Sequence, residues 1–159
     1  MTRHRSAPGI ELRAERGDDA GFIDGLVRDN LREAMAGLDL GPLLELQLRS
    51  RAAMLDENFP DLRRRVAWAG PSPVGCLLTG TRDGDLHVVE IVVSPDWRRR
   101  GVAAAMLAQV RREARQSGQA VTAHIFVTNI ASLGLFRRAG FRLTIEAGAA
   151  QSLARASPD

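Results

Sequence analysis

Residues 94–105, SPDWRRRGVAAA, set three consecutive arginines and a glycine where an apolar run gives way to a helical one. Like charges repel, and they crowd here at the positive end of a helix dipole, so an anion is the missing partner. Backbone N–H groups that open a helix have no intrahelical acceptor, and the small residues Gly101, Ala103, Ala104 and Ala105 let a ligand approach them closely. Phosphate suits such a place best. Taken alone, the hexapeptide from Arg98 through Gly101 to Ala103 reads more readily as a solvated turn whose glycine takes a positive φ. Its flanks have to decide.

The flanks are a strand and a helix. Residues 86–93 are apolar except for His87 and Glu90, the pattern of a strand central in its sheet. The pattern predicts a helix over 102–116, closed by Ser117 and Gly118, then a second buried strand over 121–127. A helix between two such strands implies a right-handed crossover joining parallel neighbours. Upstream, IELRAE predicts a short strand. Asp18 or Asp19 caps a helix carrying Phe22, Leu26, Val27, Leu31 and Met35, which Gly37 closes. A second helix starts at Pro42 and carries Leu43, Leu44, Leu46, Leu48, Ala52 and Leu55. Residues 66–69 and 74–79 form a hairpin-like pair. Downstream, Asn129 opens a short helix that Ala139 and Gly140 end, before the strand-like FRLTIE. The expected fold is a mixed α/β (α+β) one, a mainly antiparallel sheet with a central parallel pair of strands, flanked by about four helices. One domain is expected over 1–159, with a loose tail over 1–9 and an edge strand or disordered tail over 147–159.

Composition narrows the function. All 22 basic residues are arginine, the net charge is only +3, and the arginines are spread along the chain rather than massed. Nucleic-acid binding through Arg63 to Arg65 and Arg98 to Arg100 is disfavoured, because aromatics make up only 4% of the chain. No apolar run has the length of a membrane span, and the N-terminus lacks the apolar stretch of a secretory signal, so no membrane partner and a cytoplasmic location are expected. The single cysteine, Cys76, sits in an apolar run and reads as a small buried hydrophobe.

With its flanks, R98-R-R-G101-V-A103 resembles the pyrophosphate loop of the GNAT superfamily of acetyl-CoA-dependent N-acetyltransferases, whose pattern is Gln or Arg, two residues, Gly, one residue, Gly or Ala. Residues 92–95, VVSP, fit the apolar-Val-x-Pro that the family favours before it. A dinucleotide-binding loop is the competing reading, but its first glycine is absent. A second match lies downstream in NIASLGLFRRAGF, where Asn129, Ser132, Leu135, Gly140 and Phe141 fall on the family's later motif.

The resemblance implies an acyltransferase that uses acetyl-CoA and no metal, acts on a small-molecule, peptide or protein amine, and is compatible with a homodimer. It implies that Ile91, Val92 and Val93 offer backbone groups to the pantetheine arm. Arg98, Arg99, Arg100, Gly101, Val102, Ala103 and Ala104 would wrap the pyrophosphate, and Asn129, Ser132 and Phe136 would contact the cofactor beyond it. Glu90 and His124 are the two candidates to take the amine's proton. For Glu90 an apolar setting would raise the carboxyl pKa, with an ion pair to an arginine as the competing role. For His124 the competing role is a satisfied core histidine. The family commonly has tyrosine as proton donor at the place of Phe136, and this chain has no tyrosine. A catalytically weak acetyl-CoA-binding regulatory domain is therefore the alternative reading. Residues 37–48 and 58–60 are the expected wall of the acceptor site.

Overall fold

The computed structural model describes residues 9–34 and 41–159. Most of the expected loose tail, together with Met35 and Gly37, lies outside the described residues. The elements run in the order β1 (Ile10–Ala14), α1 (Ala20–Ala34), α2 (Gly41–Asn58), β2 (Arg63–Ala69), β3 (Ser72–Arg82), β4 (Asp85–Val93), α3 (Val102–Gln116), β5 (Val121–Phe126), α4 (Ile130–Arg138), β6 (Arg142–Thr144) and β7 (Gln151–Ala156). The strands form one seven-stranded sheet in the order β1-β2-β3-β4-β5-β7-β6, with β4 at its centre. Every pairing is antiparallel except β4 with β5, the pair that the crossover through α3 joins.

Helices cover both faces. On one side α3 brings Val102, Met106, Leu107, Val110 and Ala114 onto the sheet, joined by Phe136 of α4 and by Phe141. On the other, Ile23 and Leu26 of α1 pack on Val66, Cys76, Leu78 and Val92. Each such fully buried aliphatic side chain contributes about 1.5–3 kcal/mol relative to exposure. Cys76 lies in this second cluster, where burial pushes its thiol up to about 12, as suits an inert packing residue. The helix α2 is held differently. Of its apolar positions only Leu44 is buried, while Leu43 and Leu46 face outward. Phe59, just past its end, anchors it by stacking on His87 at 5.6 Å between ring centroids.

Of arginines 63–65, Arg64 and Arg65 are taken up by the fold, whereas Arg63 stays exposed. Arg65 is 4% exposed and meets Glu113 of α3 at 2.7 Å. Arg64 meets Glu15 and Asp24 at 2.7 and 2.6 Å.

The C-terminal segment corrects the expectation of an edge strand or disorder. β7 inserts between β5 and β6, pairing with β5 from Val121↔Ala156 to Phe126↔Gln151. Its residues alternate exposed and buried, with Ser152, Ala154 and Ala156 turned inward. Small residues suffice here, since α3 and α4 already fill that core, and so the segment lacks the β-branched signature of a central strand.

β3 and β4 approach closely at Gly75. An added Cβ would stand 2.6 Å from the Val92 carbonyl oxygen and 3.3 Å from the Met106 methyl. Gly75→Ala is expected to cost about 1–3 kcal/mol through overpacking, seen as a lower urea midpoint. An unchanged midpoint would contradict this contact.

Candidate active site

The site begins where two strands part. β4 and β5 pair only at Leu86↔Val121, His87↔Thr122 and Val88↔Ala123. Beyond these, β5 continues on β7 and β4 continues on β3 as far as Gly75↔Val93. The ladder skips Val89, which lies between Thr79↔Val88 and Leu78↔Glu90. Such a bulge bends a strand and re-aims its side chains. Among the described residues, the β5-facing edge of Ile91, Val92 and Val93 has no strand partner, so its peptide groups can receive an extended ligand. The expectation that this strand is buried on both faces needs correcting for the same reason. Glu90, Ile91 and Val93 are half-buried, because no described strand flanks them on that side.

The arginine loop follows directly. After a tight turn over Pro95–Trp97, Arg99 and Gly101 both take positive φ, at 60° and 79°. Left-handed backbone at a helix entrance turns successive N–H groups toward one side, the geometry of an anion cradle. α3 starts at Val102 with no acidic residue in its first turn. The three arginines do different things. Arg98 spans both carboxylate oxygens of Glu33 at 3.1 Å, Arg100 lies over the Trp97 ring at 5.0 Å, and Arg99 lines the cleft that opens here.

That cleft has a volume of about 990 Å³. Its walls are the loop, α3 and α4. Among the described residues they include Arg98, Arg99, Arg111, Arg112, Arg115 and Arg138 with no carboxylate. Arg111 is fixed in place. Its Nη1 donates to the Ala139 carbonyl at 2.7 Å, and its guanidinium lies 5.9 Å from the centre of the Phe141 ring.

The candidate proton acceptors lie on the α1/α2 side of the sheet. Glu90 is not alone among apolar groups. It pairs with Arg51 of α2 and accepts from the Asn30 amide of α1 at 3.3 Å. His124 is exposed, and its Nδ1 accepts from Arg82 at 3.4 Å, which leaves the ring proton on Nε2. Partial burial, and then the Arg82 charge, lower its pKa and favour the neutral ring. His87 lies beside it, 5.1 Å between ring centroids, buried and hydrogen-bonded to Thr122 at 2.7 Å.

The family model for the acetyltransferase (GNAT) family matches residues 32–141. The chain belongs to this family. The fold agrees. The PaiA N-acetyltransferase of Thermoplasma acidophilum, solved with coenzyme A, superposes with a TM-score of 0.75 at 13% identity, over 94% of this chain and 99% of that one. An acetyltransferase from Thermus thermophilus gives 0.69 at 20% identity, over 95% and 98%. YncA from Salmonella typhimurium, solved with acetyl-CoA, gives 0.63 at 19%, over 95% of each chain. Comparison with curated proteins gives no match.

In this GNAT acetyltransferase, Val93, Arg98, Arg99, Gly101, Val102, Ala103 and Ala104 all border the cleft. Ile91, Val92, Arg100, Asn129, Ser132 and Phe136 do not. Asn129 caps α4, accepting from the Ser132 N–H at 3.1 Å, and the neighbouring Ala131 and Leu135 form the wall instead. Phe136 is 2% exposed and packs edge-on against Phe141 at 4.9 Å. Sequence reading missed Arg111, Arg112, Arg115 and Arg138. For the first three the signal was the run RREAR, basic at helical spacing along α3, and for Arg138 it was the Arg137–Arg138 pair inside the second motif. It also missed Arg51 and Asn30, which reach Glu90 from 39 and 60 residues away and leave no local trace.

His87 makes the scaffold of the site sensitive to acid. Desolvation, followed by the charges of His124 and Arg82, lowers its pKa from 6.5 to about 4. Between those values the unfolded chain binds a proton that the folded chain does not. Stability should therefore fall with falling pH by roughly 1.4 kcal/mol per pH unit. Urea unfolding at pH 7 and pH 5 should show a larger loss for the native protein than for His87→Gln, and equal losses would contradict the assignment.

Proposed function

We propose that this protein transfers the acetyl group of acetyl-CoA to a primary amine, without a metal. The observation that carries the reading is the cleft at the start of α3, bordered among the described residues by six arginines and no carboxylate, beside an open strand edge. A ligand with phosphates at one end and an amide-bearing arm at the other fits that combination. The coenzyme A and acetyl-CoA bound to the PaiA and YncA relatives support it.

When bound, acetyl-CoA supplies an activated acyl carbon and a thiolate leaving group. The residues of this chain hold and orient the reactants. Main-chain N–H groups from Arg99 to Ala104, with Arg99, Arg111 and Arg138, would hold the phosphates. The edge of Ile91–Val93 would align the arm toward the strand split. Glu90 receives the amine and takes its proton, and His124 presents Nε2–H as a hydrogen-bond donor. The amine nitrogen gains a bond to the acetyl carbon as the carbon–sulfur bond breaks. It loses one proton to Glu90 while the sulfur gains one, so the protons balance. With no tyrosine in the chain, that last proton comes from water.

Calorimetric titration with acetyl-CoA should show saturable binding, lost in Gly101→Val, where a branched Cβ meets both the cradle and a φ of 79°. Melting temperatures must be measured alongside to separate ligand loss from unfolding. Absence of binding to the native protein would overturn the reading. In thiol-release assays with an amine panel, Glu90→Gln should lower kcat by about 10²–10⁴-fold with acetyl-CoA affinity retained. An unchanged kcat would remove Glu90 from the reaction.

A further inference from the structure

The acceptor's chemistry is written in the Arg51–Glu90 pair. The arginines of the cleft belong to the α3/α4 side of the sheet, whereas an acceptor enters from the α1/α2 side, where Glu90 and His124 flank the split. On that side Arg28 is paired with Glu45. Arg51 is paired with Glu90, the carboxylate that must receive the amine. The Glu90 side chain is 11% exposed and that of Arg51 32%, so Glu90 is nearly enclosed and Arg51 keeps a solvent-facing portion. Arg51 is also partly desolvated, which lowers its pKa.

A poorly solvated ion pair is tolerable because its charges cancel. A simple alkylammonium arriving at Glu90 would add a charge with nothing to offset it, beside Arg51. An acceptor that carries its own carboxylate adds no net charge. Its ammonium meets Glu90, its carboxylate meets Arg51 through the planar two-pronged geometry that guanidinium offers, and the signs alternate around the group of four. The same exchange draws Arg51 partly off Glu90 and leaves a Glu90 oxygen free to take one ammonium proton and give the neutral amine; the second nitrogen proton, released as the carbon–nitrogen bond forms, passes through water to the departing sulfur.

We propose that the acceptor is a free α-amino acid or similar zwitterionic amine, its ammonium on Glu90 and its carboxylate on Arg51. This rests on the acetyl-transfer reading above. Arg51 is then a specificity residue of the acceptor site.

The test compares leucine, leucinamide and isoamylamine in thiol-release assays with acetyl-CoA. Leucine should exceed both in kcat/KM by about 10- to 100-fold, the range for a hydrogen-bonded charged group. In Arg51→Ala the difference should shrink to within about threefold through a raised KM for leucine, and Arg51→Lys should restore part of it. Because Arg51 also tethers α2, acetyl-CoA affinity and melting temperature of each variant are measured as well. Calorimetric titration of the native protein and Arg51→Ala with leucine alone reads the site without turnover, and leucine binding should weaken in the variant. Where Arg51→Ala fails to fold, Arg51→Lys and the three-acceptor comparison on the native protein still decide. Equal use of leucinamide and leucine, or a leucine preference that survives Arg51→Ala, would overturn the proposal while leaving acetyl transfer intact. Loss of acetyl-CoA binding in the native protein would instead strike the underlying reading.

Discussion

The parting of β4 from β5 is the constraint on which the rest of the structure depends. Three paired positions hold the strands together, and then each is committed to a different neighbour, β3 on one side and β7 on the other. No described strand of the sheet fills the wedge that remains. Since the two strands are parallel, the chain leaves both at the same end of the sheet, and α3 and α4 both begin there. Two helix starts therefore lie at one opening; that of α4 is capped by Asn129, and that of α3, which has no side-chain cap, offers its free N–H groups. A pairing that continued to Val93 would bury the edge that now lies open, and the bulge at Val89 would have no reason to turn Glu90 toward α1 and α2.

Charge is distributed to match this geometry rather than the overall composition. A net charge of +3 says little, because many arginines away from the cleft have carboxylate partners. Arg13 pairs with Glu11, Arg28 with Glu45, Arg64 with Glu15 and Asp24, and Arg155 with Asp85. Exposed pairs of this kind contribute little to stability, so their value lies in neutralising surface that would otherwise repel or attract indiscriminately. Around the cleft, among the described residues, Arg98 alone has such a partner, in Glu33, and no carboxylate stands in the walls. An uncompensated cluster of guanidinium groups is costly unless an anion completes it, and this one surrounds the cradle.

What sequence could disclose divides along the same line. The apolar run through β4, the glycine at the entrance of α3 and the asparagine cap of α4 are local features, each fixed by a few neighbouring residues. They led directly to the central strand, the crossover and the glycine turn at the entrance of α3. Glu90 shows where such reading stops. Its place in an apolar strand left open a carboxylate among apolar groups or an ion pair with an arginine; it pairs with Arg51 and meets Asn30, which come from two helices, and contact over that distance leaves no periodicity that names the partner. β7 escaped for another reason. Alanine and serine carry almost no strand preference, and only the company of β5 and β6 makes residues 151–156 extended. Arg100 and Phe136 were placed by motif position, but a motif fixes the backbone path and leaves side chains to local packing. Stacking on Trp97 and on Phe141 decided both.

Phe136 bears on how the proposed reaction ends. Its ring is enclosed and edge-on to Phe141, so a hydroxyl added there would need a hydrogen-bond partner inside an apolar core or a different side-chain path toward the cleft. The packing at 136 thus favours a residue without a polar end, and the chain completes its core at the expense of a dedicated proton donor. That exchange is chemically tolerable because the departing group is a thiol. With an ordinary thiol pKa of about 8.5, a thiolate formed near neutral pH is only about one to two pH units from equilibrium and can take its proton from water. The amine has no such latitude, since a protonated nitrogen cannot attack at all. In the proposed reaction the demand for geometry therefore falls on Glu90, which α1 and α2 hold through Asn30 and Arg51, and not on the α4 side, where a phenylalanine suffices.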